Sequence, residues 1–358
     1  VLQNGLLPKR QLKKVKKEEI KMAKRIAING FGRIGRLVFR QIFELGLEKK
    51  LEVIAINDLT SPEILAHLLK YDSAQGKFNA DVKAKKDAIV VNGKEIKIYA
   101  ERDPKNLPWK EDKIDVVVES TGFFCSKEKS QAHIDAGAKK VAISAPAGND
   151  VKTIVFNVND NTLKKSDVII SGASCTTNCL APVAKAIDDA FGIKSGLMTT
   201  VHAYTGDQRL VDAPHSDLRR ARAAAMSIIP SSTGAAKAIG LVLPSLAGKL
   251  DGFAMRVPVI TGSVVDLTFE LEKEASIEDI NNAVKKASVK NPALDYVTDP
   301  IVSRDIIGAT AGSIYDPALT KEIVKKDGTK LYKVISWYDN ESSYVSQFVR
   351  TLKKFAEL

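Results

Sequence analysis

The stretch KRIAINGFGRIG, residues 24–35, decides the fold. Its first six residues place Ile26, Ala27 and Ile28 in a short apolar run, the pattern of a buried strand, and Gly30, Gly32 and Gly35 follow at once in G-x-G-x-x-G spacing. The period then changes: Ile34, Leu37, Val38, Ile42 and Leu45 fall along one side of a helix expected over residues 34–45. A second strand is expected at Leu51–Asn57, with Asp58 directly after it. Strand, glycine turn, helix, strand and acid are the order that dinucleotide binding requires. The glycines let backbone approach a pyrophosphate at a helix N-terminus, and the carboxylate bonds an adenosine ribose.

Working outward, Asn92-Gly93 between two apolar runs predicts a hairpin, so this sheet is mixed. Residues 115–120 (DVVVES) and 139–144 (KKVAIS) read as further buried strands, with a helix over residues 127–136 between them. That alternation predicts an α/β fold with a Rossmann-like, doubly wound domain. Beyond residue 173 the pattern shifts. Residues 263–271 (SVVDLTFEL) alternate as an antiparallel strand does, so the second domain is expected to be α+β with a mainly antiparallel sheet. A last strand at residues 335–338 leads to Asn340, read as the cap of a final helix whose Val345, Phe348, Val349, Leu352 and Phe355 form one apolar stripe. The stripe is expected to pack back on the first domain. The expected division is residues 22–173, completed by residues 339–358, and residues 174–338.

The chemistry points to residues 171–182, SGASCTTNCLAP. Cys175 stands before an apolar, helix-compatible run (Leu180, Val183, Ala184, Ala186, Ile187, Ala190), so it is expected in the first turn of a helix. Unpaired N–H groups and the macrodipole there favour an anion and are expected to draw a thiol down into the range of roughly 3.5–7.5. Pro182 is expected to kink that helix. Of the four histidines, chain geometry selects His202 as the base. A helix over residues 175–191 climbs about 24 Å at about 1.5 Å per residue. After Gly192, a strand over residues 194–202 returns about 26 Å at about 3.3 Å per residue. His202 therefore comes back level with Cys175, whereas His67, His133 and His215 read as ordinary helix or loop residues. A lone cysteine is more often a buried core residue, and Cys179 is read so.

Residues 171–182, residues 201–209 (VHAYTGDQR) and the N-terminal NGFGRIGR together resemble phosphorylating glyceraldehyde-3-phosphate dehydrogenase of the bacterial type, over residues 22–358. The resemblance implies oxidation of glyceraldehyde 3-phosphate to 1,3-bisphosphoglycerate in glycolysis, with NAD as cofactor and Cys175 and His202 as the catalytic pair. It implies that Gly30, Gly32, Arg33, Ile34, Gly35, Asp58, Arg102, Thr121, Ser144 and Asn340 line the dinucleotide. Thr205 and Arg256 are implied for the substrate phosphate, and Ser174, Thr176, Thr233 and Gly234 for inorganic phosphate. Thr233-Gly234 also stands at an expected helix start, a ready anion site. By the same resemblance, residues 203–229 form a loop packed between subunits of a homotetramer. Pro214 favours NAD over NADP, while Ala213 before it is less typical of NAD-specific relatives. One departure is Ser342-Ser343, where many members carry an aromatic residue and glycine. Erythrose-4-phosphate dehydrogenase, acting on an aldehyde one carbon longer, is the alternative of the same class. A nucleotide- or RNA-binding protein without catalysis is the alternative of another class.

Formal net charge is +11, but seven Lys or Arg against two Glu in residues 1–21 put +5 of it in a tail, leaving +6 for a chain that handles anions. No nucleic-acid motif accompanies it. Three cysteines, Cys125, Cys175 and Cys179, make no disulfide framework, no Cys/His cluster has metal-ligand spacing, and a cytoplasmic location is expected. Residues 1–21 are expected to be a leader outside the native enzyme, with translation starting at Met22. The codons for Lys16-Lys17-Glu18-Glu19 can spell a bacterial ribosome-binding sequence just upstream.

Overall fold

The computed structural model describes residues 22–358; the expected leader lies outside them. Two sheets organise the chain. The first has nine strands, with Leu51–Asn57, Lys24–Asn29, Val116–Glu119, Lys140–Ile143 and Ile169–Ser171 side by side and parallel. Ala88–Val91 and Lys94–Tyr99 form the expected hairpin, turned by Asn92 and Gly93 at φ +50° and +81°, and add an antiparallel edge. Isoleucine and valine fill the central strands because both faces are covered.

The glycine motif is enforced by contact. A Cβ on Gly35 would stand 2.1 Å from the Gly30 carbonyl oxygen, and one on Gly30, at φ +88°, would stand 2.7 Å from the Thr121 nitrogen. A Cβ on Gly32 would meet nothing within 4 Å, so protein packing does not demand that glycine. It leaves the N-terminus of the helix Arg33–Glu44 open to an approaching ligand.

The second sheet has seven strands in the spatial order Ile229–Ser232, Leu250–Val257, Ile193–Ala203, Ser263–Leu271, Lys330–Tyr338, Ser313–Val324 and Leu294–Tyr296. Four of its six pairings are antiparallel. The cysteine helix runs Cys175–Phe191 and includes Pro182 without ending there. Gly192, at φ +71°, turns the chain into the strand Ile193–Ala203. That strand pairs in parallel with Leu250–Val257, in a register that sets His202 beside Arg256.

The final helix, Ser342–Glu357, buries Val345, Phe348, Val349, Leu352 and Phe355 in the same core as Ile26, Phe39 and Leu51 of the first sheet's domain. The expected stripe is present, but Asn340 is not the cap. Glu341 occupies the N-cap position without a side-chain capping bond, and Asp339 accepts from the backbone N–H groups of Glu341 and Ser342 at 2.8 and 3.0 Å, while the Asn340 side-chain oxygen is turned to Ser263 and Gly262. The Ser342-Ser343 departure packs without strain of polarity: Gln41 donates to Ser342, and the Ser343 hydroxyl bonds the Ala309 carbonyl. Truncating Leu352, which is fully buried, to alanine should lower stability by about 2–5 kcal/mol. Urea unfolding of Leu352→Ala measures this, and an unchanged midpoint would mean that the helix does not pack on the first domain.

Candidate active site

The helix start and the returning strand bring the Cys175 sulfur to 3.4 Å from His202 Nε2. The tautomer follows from the other ring nitrogen. His202 Nδ1 lies 2.7 Å from the Ala203 carbonyl oxygen, where two bare acceptors would repel, so the proton sits on Nδ1 and donates to that oxygen. Nε2 is left with its lone pair facing the thiol. Arg256 Nη1, 3.1 Å from Nδ1, then donates to the Ala203 carbonyl at 3.1 Å and to Thr205 Oγ1 at 3.0 Å. The Tyr338 ring meets the imidazole edge-on, and its hydroxyl bonds Thr176 and Thr200, each at 2.8 Å.

Electrostatics correct one expectation. Burial pushes the Cys175 thiol up, and the opposing pull of the Arg256 guanidinium, Thr176 and the first-turn N–H groups does not overcome it. The lowered thiol expected from the helix N-terminus is therefore not found, because desolvation outweighs the local dipoles. Burial and, after it, Arg256 depress His202 to about 3. Both shifts favour the uncharged forms, a thiol and a neutral imidazole. Cys179, fully buried against Ser336 and Ser313, is pushed up to about 12 and is inert.

The groups expected to bind anions fall in two sets. Thr205 and Arg256 are bonded to each other. Ser174 caps the cysteine helix by accepting from the Thr177 N–H at 3.1 Å, and Thr233 and Gly234 stand at the start of the helix Ala235–Val242. The Thr176 hydroxyl is turned inward to Tyr338, which leaves its backbone N–H as the group it can offer a ligand. Sequence reading missed the path that joins the sets. Thr205 bonds Asp207, Arg220 pairs with Asp207 at 2.7 Å, and Arg220 also donates to the Ser232 carbonyl at 3.1 Å.

At the carboxyl ends of the parallel strands stand the groups expected around a dinucleotide. Asp58 accepts from the Phe31 N–H at 2.8 Å, bracing the glycine turn. Asn57 grips Glu101 at both its N–H and its carbonyl, which carries exposed Arg102 to the same end of the sheet. Thr121 and Ser144 both bond Glu119, the first to its carboxylate and the second to its carbonyl. Arg33 donates to Asp72 and Glu341, so its side chain is committed to carboxylates. Asn340 Oδ1 accepts from the Gly262 N–H at 3.1 Å and the Ser263 hydroxyl at 2.9 Å, which orients its amide nitrogen away from them. His133, read as an ordinary helix residue, is fully buried between Trp109 and Glu119.

Comparison with known proteins gives the family. A family description reading "Glyceraldehyde 3-phosphate dehydrogenase, NAD binding domain" matches residues 24–127, and its "C-terminal domain" counterpart matches residues 174–340. The glyceraldehyde-3-phosphate dehydrogenase of Clostridium pasteurianum is 60% identical over 336 residues, which is 93% of this chain and 99% of that protein. That of Streptococcus pyogenes is 57% identical over 340 residues, 94% of this chain and 99% of its own length. The chain belongs to the glyceraldehyde-3-phosphate dehydrogenase family. It is accordingly an NAD-dependent oxidoreductase. The open glycine turn, the braced Asp58 and the oriented Asn340 amide fit such a cofactor.

The depressed imidazole makes stability depend on pH. Between pH 6.5 and about 3 the unfolded chain takes up a proton at His202 that the folded chain refuses. This contribution is complete above pH 6.5 and is lost as pH falls. Denaturation midpoints should fall on acidification through this window, and less steeply in His202→Asn. Equal slopes would show that the imidazole does not change protonation on unfolding.

Proposed function

We propose that the chain oxidises glyceraldehyde 3-phosphate to 1,3-bisphosphoglycerate, with inorganic phosphate as acyl acceptor. The observation that carries this reading is the Cys175 sulfur 3.4 Å from His202 Nε2, with Arg256 bonded to Thr205 behind it. As the aldehyde arrives, the thiol proton passes to Nε2 and the sulfur attacks the carbonyl carbon, giving a thiohemiacetal. The Cys175 backbone N–H, at the helix start, stabilises the developing oxyanion together with protonated His202. His202, having passed that proton to the oxyanion, takes the hydroxyl proton when the carbon is oxidised. NAD, when bound, supplies the hydride acceptor; Gly30, Gly32, Arg33, Ile34, Gly35, Asp58, Arg102, Thr121, Ser144 and Asn340 would hold it. Phosphate then attacks the thioester carbon, the C–S bond breaks, and Cys175 is regenerated.

Arg256 and Thr205 receive the substrate phosphate on this reading, while Ser174, Thr233, Gly234 and the Thr176 backbone N–H receive the attacking one. A phosphate on Arg256 does more than anchor. It neutralises a charge that depresses His202, and so strengthens the base once substrate is seated.

A homotetramer is supported by the loop of residues 203–229. It exposes Leu210, Leu218 and Met226 by more than four-fifths each, as a segment awaiting a second copy would. Among the described residues no helix is long and apolar enough to cross a membrane, and a cytoplasmic site of action is part of the same reading.

Two experiments test it. Turnover on glyceraldehyde 3-phosphate should depend on inorganic phosphate and exceed that on erythrose 4-phosphate. His202→Asn should lose roughly 10²–10⁴-fold of that turnover. A loss below tenfold, or a preference for the longer aldehyde, would count against the assignment. For the cofactor, Asp58 should repel a 2′-phosphate, so kcat/KM should favour NAD over NADP, and Asp58→Ala should narrow the gap. Equal values for both cofactors in the parent would remove that role from Asp58.

A further inference from the structure

Arg33 opens the helix that follows the glycine turn, where a cation would ordinarily be read as a pyrophosphate ligand. Its side chain is engaged elsewhere. Nε donates to Glu341 Oε1 at 2.6 Å and Nη2 reaches the other oxygen of that carboxylate. Nη1 and Nη2 also take both oxygens of Asp72, at 2.5 and 3.2 Å. Two carboxylates thus outbalance one guanidinium, and little positive field remains for a phosphate. Arg36 and Arg40, on the same helix, donate to the carbonyls of Phe31, Leu69 and Gly76.

Glu341 is equally unusual. It stands at the N-cap of the last helix, yet its side chain makes no capping bond. It gives up that role to reach residue 33, more than 300 positions away in sequence. From there the bonds close into a ring. Asp72 accepts from the Gln75 N–H at 2.9 Å, the Gln75 amide donates to Asp339 at 2.9 Å, and Asp339 accepts from the Glu341 N–H at 2.8 Å. Asn340 lies inside this ring, between Asp339 and Glu341. Arg33 follows Gly32 directly.

We propose that Arg33 is a positioning residue: clamped between Asp72 and Glu341, it fixes the glycine turn relative to Asn340, and so sets the distance between the pyrophosphate and nicotinamide ends of one bound dinucleotide. This rests on the reading of Gly30–Gly35 and Asn340 as cofactor contacts. The planar fork of arginine is needed, because a lysine ammonium cannot engage two carboxylates bidentately. Its backbone N–H remains available to the pyrophosphate whatever the side chain does.

The test compares NAD with ADP-ribose, which has the pyrophosphate and lacks the nicotinamide, by titration calorimetry on the full chain. Arg33→Met and Glu341→Gln should leave ADP-ribose affinity within about twofold. They should weaken NAD about tenfold and lower kcat by roughly 10–100-fold, the scale of a misplaced reacting group. Arg33→Lys should fall between parent and Arg33→Met. The exchanged pair Arg33→Glu with Glu341→Arg should recover part of the loss. If Arg33→Met folds poorly, as its melting curve will show, Glu341→Gln carries the comparison alone. Equal weakening of both ligands would overturn the proposal by making the guanidinium a direct phosphate ligand. Unchanged NAD affinity and kcat would overturn it by making the clamp idle. A parent protein that binds neither ligand would instead sink the cofactor reading beneath it.

Discussion

The two halves of the molecule are held in register by one buried carboxylate. Asp339 is fully buried and accepts five hydrogen bonds: from Thr261, Glu341 and Ser342 on one oxygen, and from Gly308 and Gln75 on the other. An unpaired charge at this depth would be prohibitive, and each donor stranded by its loss costs about 1–3 kcal/mol. Gln75 belongs to the nucleotide-binding half, whereas Thr261 and Gly308 belong to the catalytic half. The residues on either side inherit this rigidity. Tyr338 braces Thr176 and packs on His202, and the Asn340 side-chain oxygen accepts from Ser263. Three consecutive positions therefore tie the Cys175–His202 surroundings, the contact between the two halves and the Asn340 amide to one turn of chain.

A second buried network does comparable work under the nucleotide turn. Trp109 can only donate, so His133 Nδ1 accepts from it at 3.1 Å. The proton of the neutral ring is then on Nε2, which donates to Glu119 at 3.1 Å. Asn29 adds a donor to the same carboxylate at 2.6 Å and accepts from Asn57 at 2.7 Å. The chain of bonds locks the ends of three neighbouring strands, with every member satisfied. A satisfied polar network of this kind rigidifies, while a half-satisfied one would open the sheet. Glu119 passes the constraint on to Thr121 and Ser144.

The parts of this design that are local in sequence could be read from it. The glycine spacing, the hairpin at Asn92-Gly93 and the paired lengths of the cysteine helix and histidine strand all follow from periodicity and rise per residue. Asp72, Glu341 and Asp339 could not be found that way, since Asp72 meets Arg33 39 positions away, Glu341 meets Arg33 308 away and Asp339 meets Gln75 264 away, and a lone acid carries no periodic signal. Asn340 reads as a cap because asparagine favours that place. The cap position falls instead at Glu341, and the Asp339 carboxylate accepts the N–H groups of Glu341 and Ser342. His133 had one legible hint, a histidine in a helix between buried strands, but nothing in its neighbours named Trp109 or Glu119.

The direction of the thiol shift carries a lesson about the chemistry. A helix N-terminus and Arg256 both favour a thiolate, yet burial prevails in the pocket of Cys175. The same burial, with Arg256, keeps His202 neutral. Were the pair a standing thiolate and imidazolium, the proton would already have moved, and the imidazole could not act as a base toward the thiol. On the proposed mechanism, with both groups neutral, the transfer waits until an aldehyde lies against the sulfur, when C–S bond formation carries the negative charge onto the carbonyl oxygen. On that mechanism the site's polar groups act on the reacting state rather than the resting one, and differential stabilisation of that kind is what lowers a barrier.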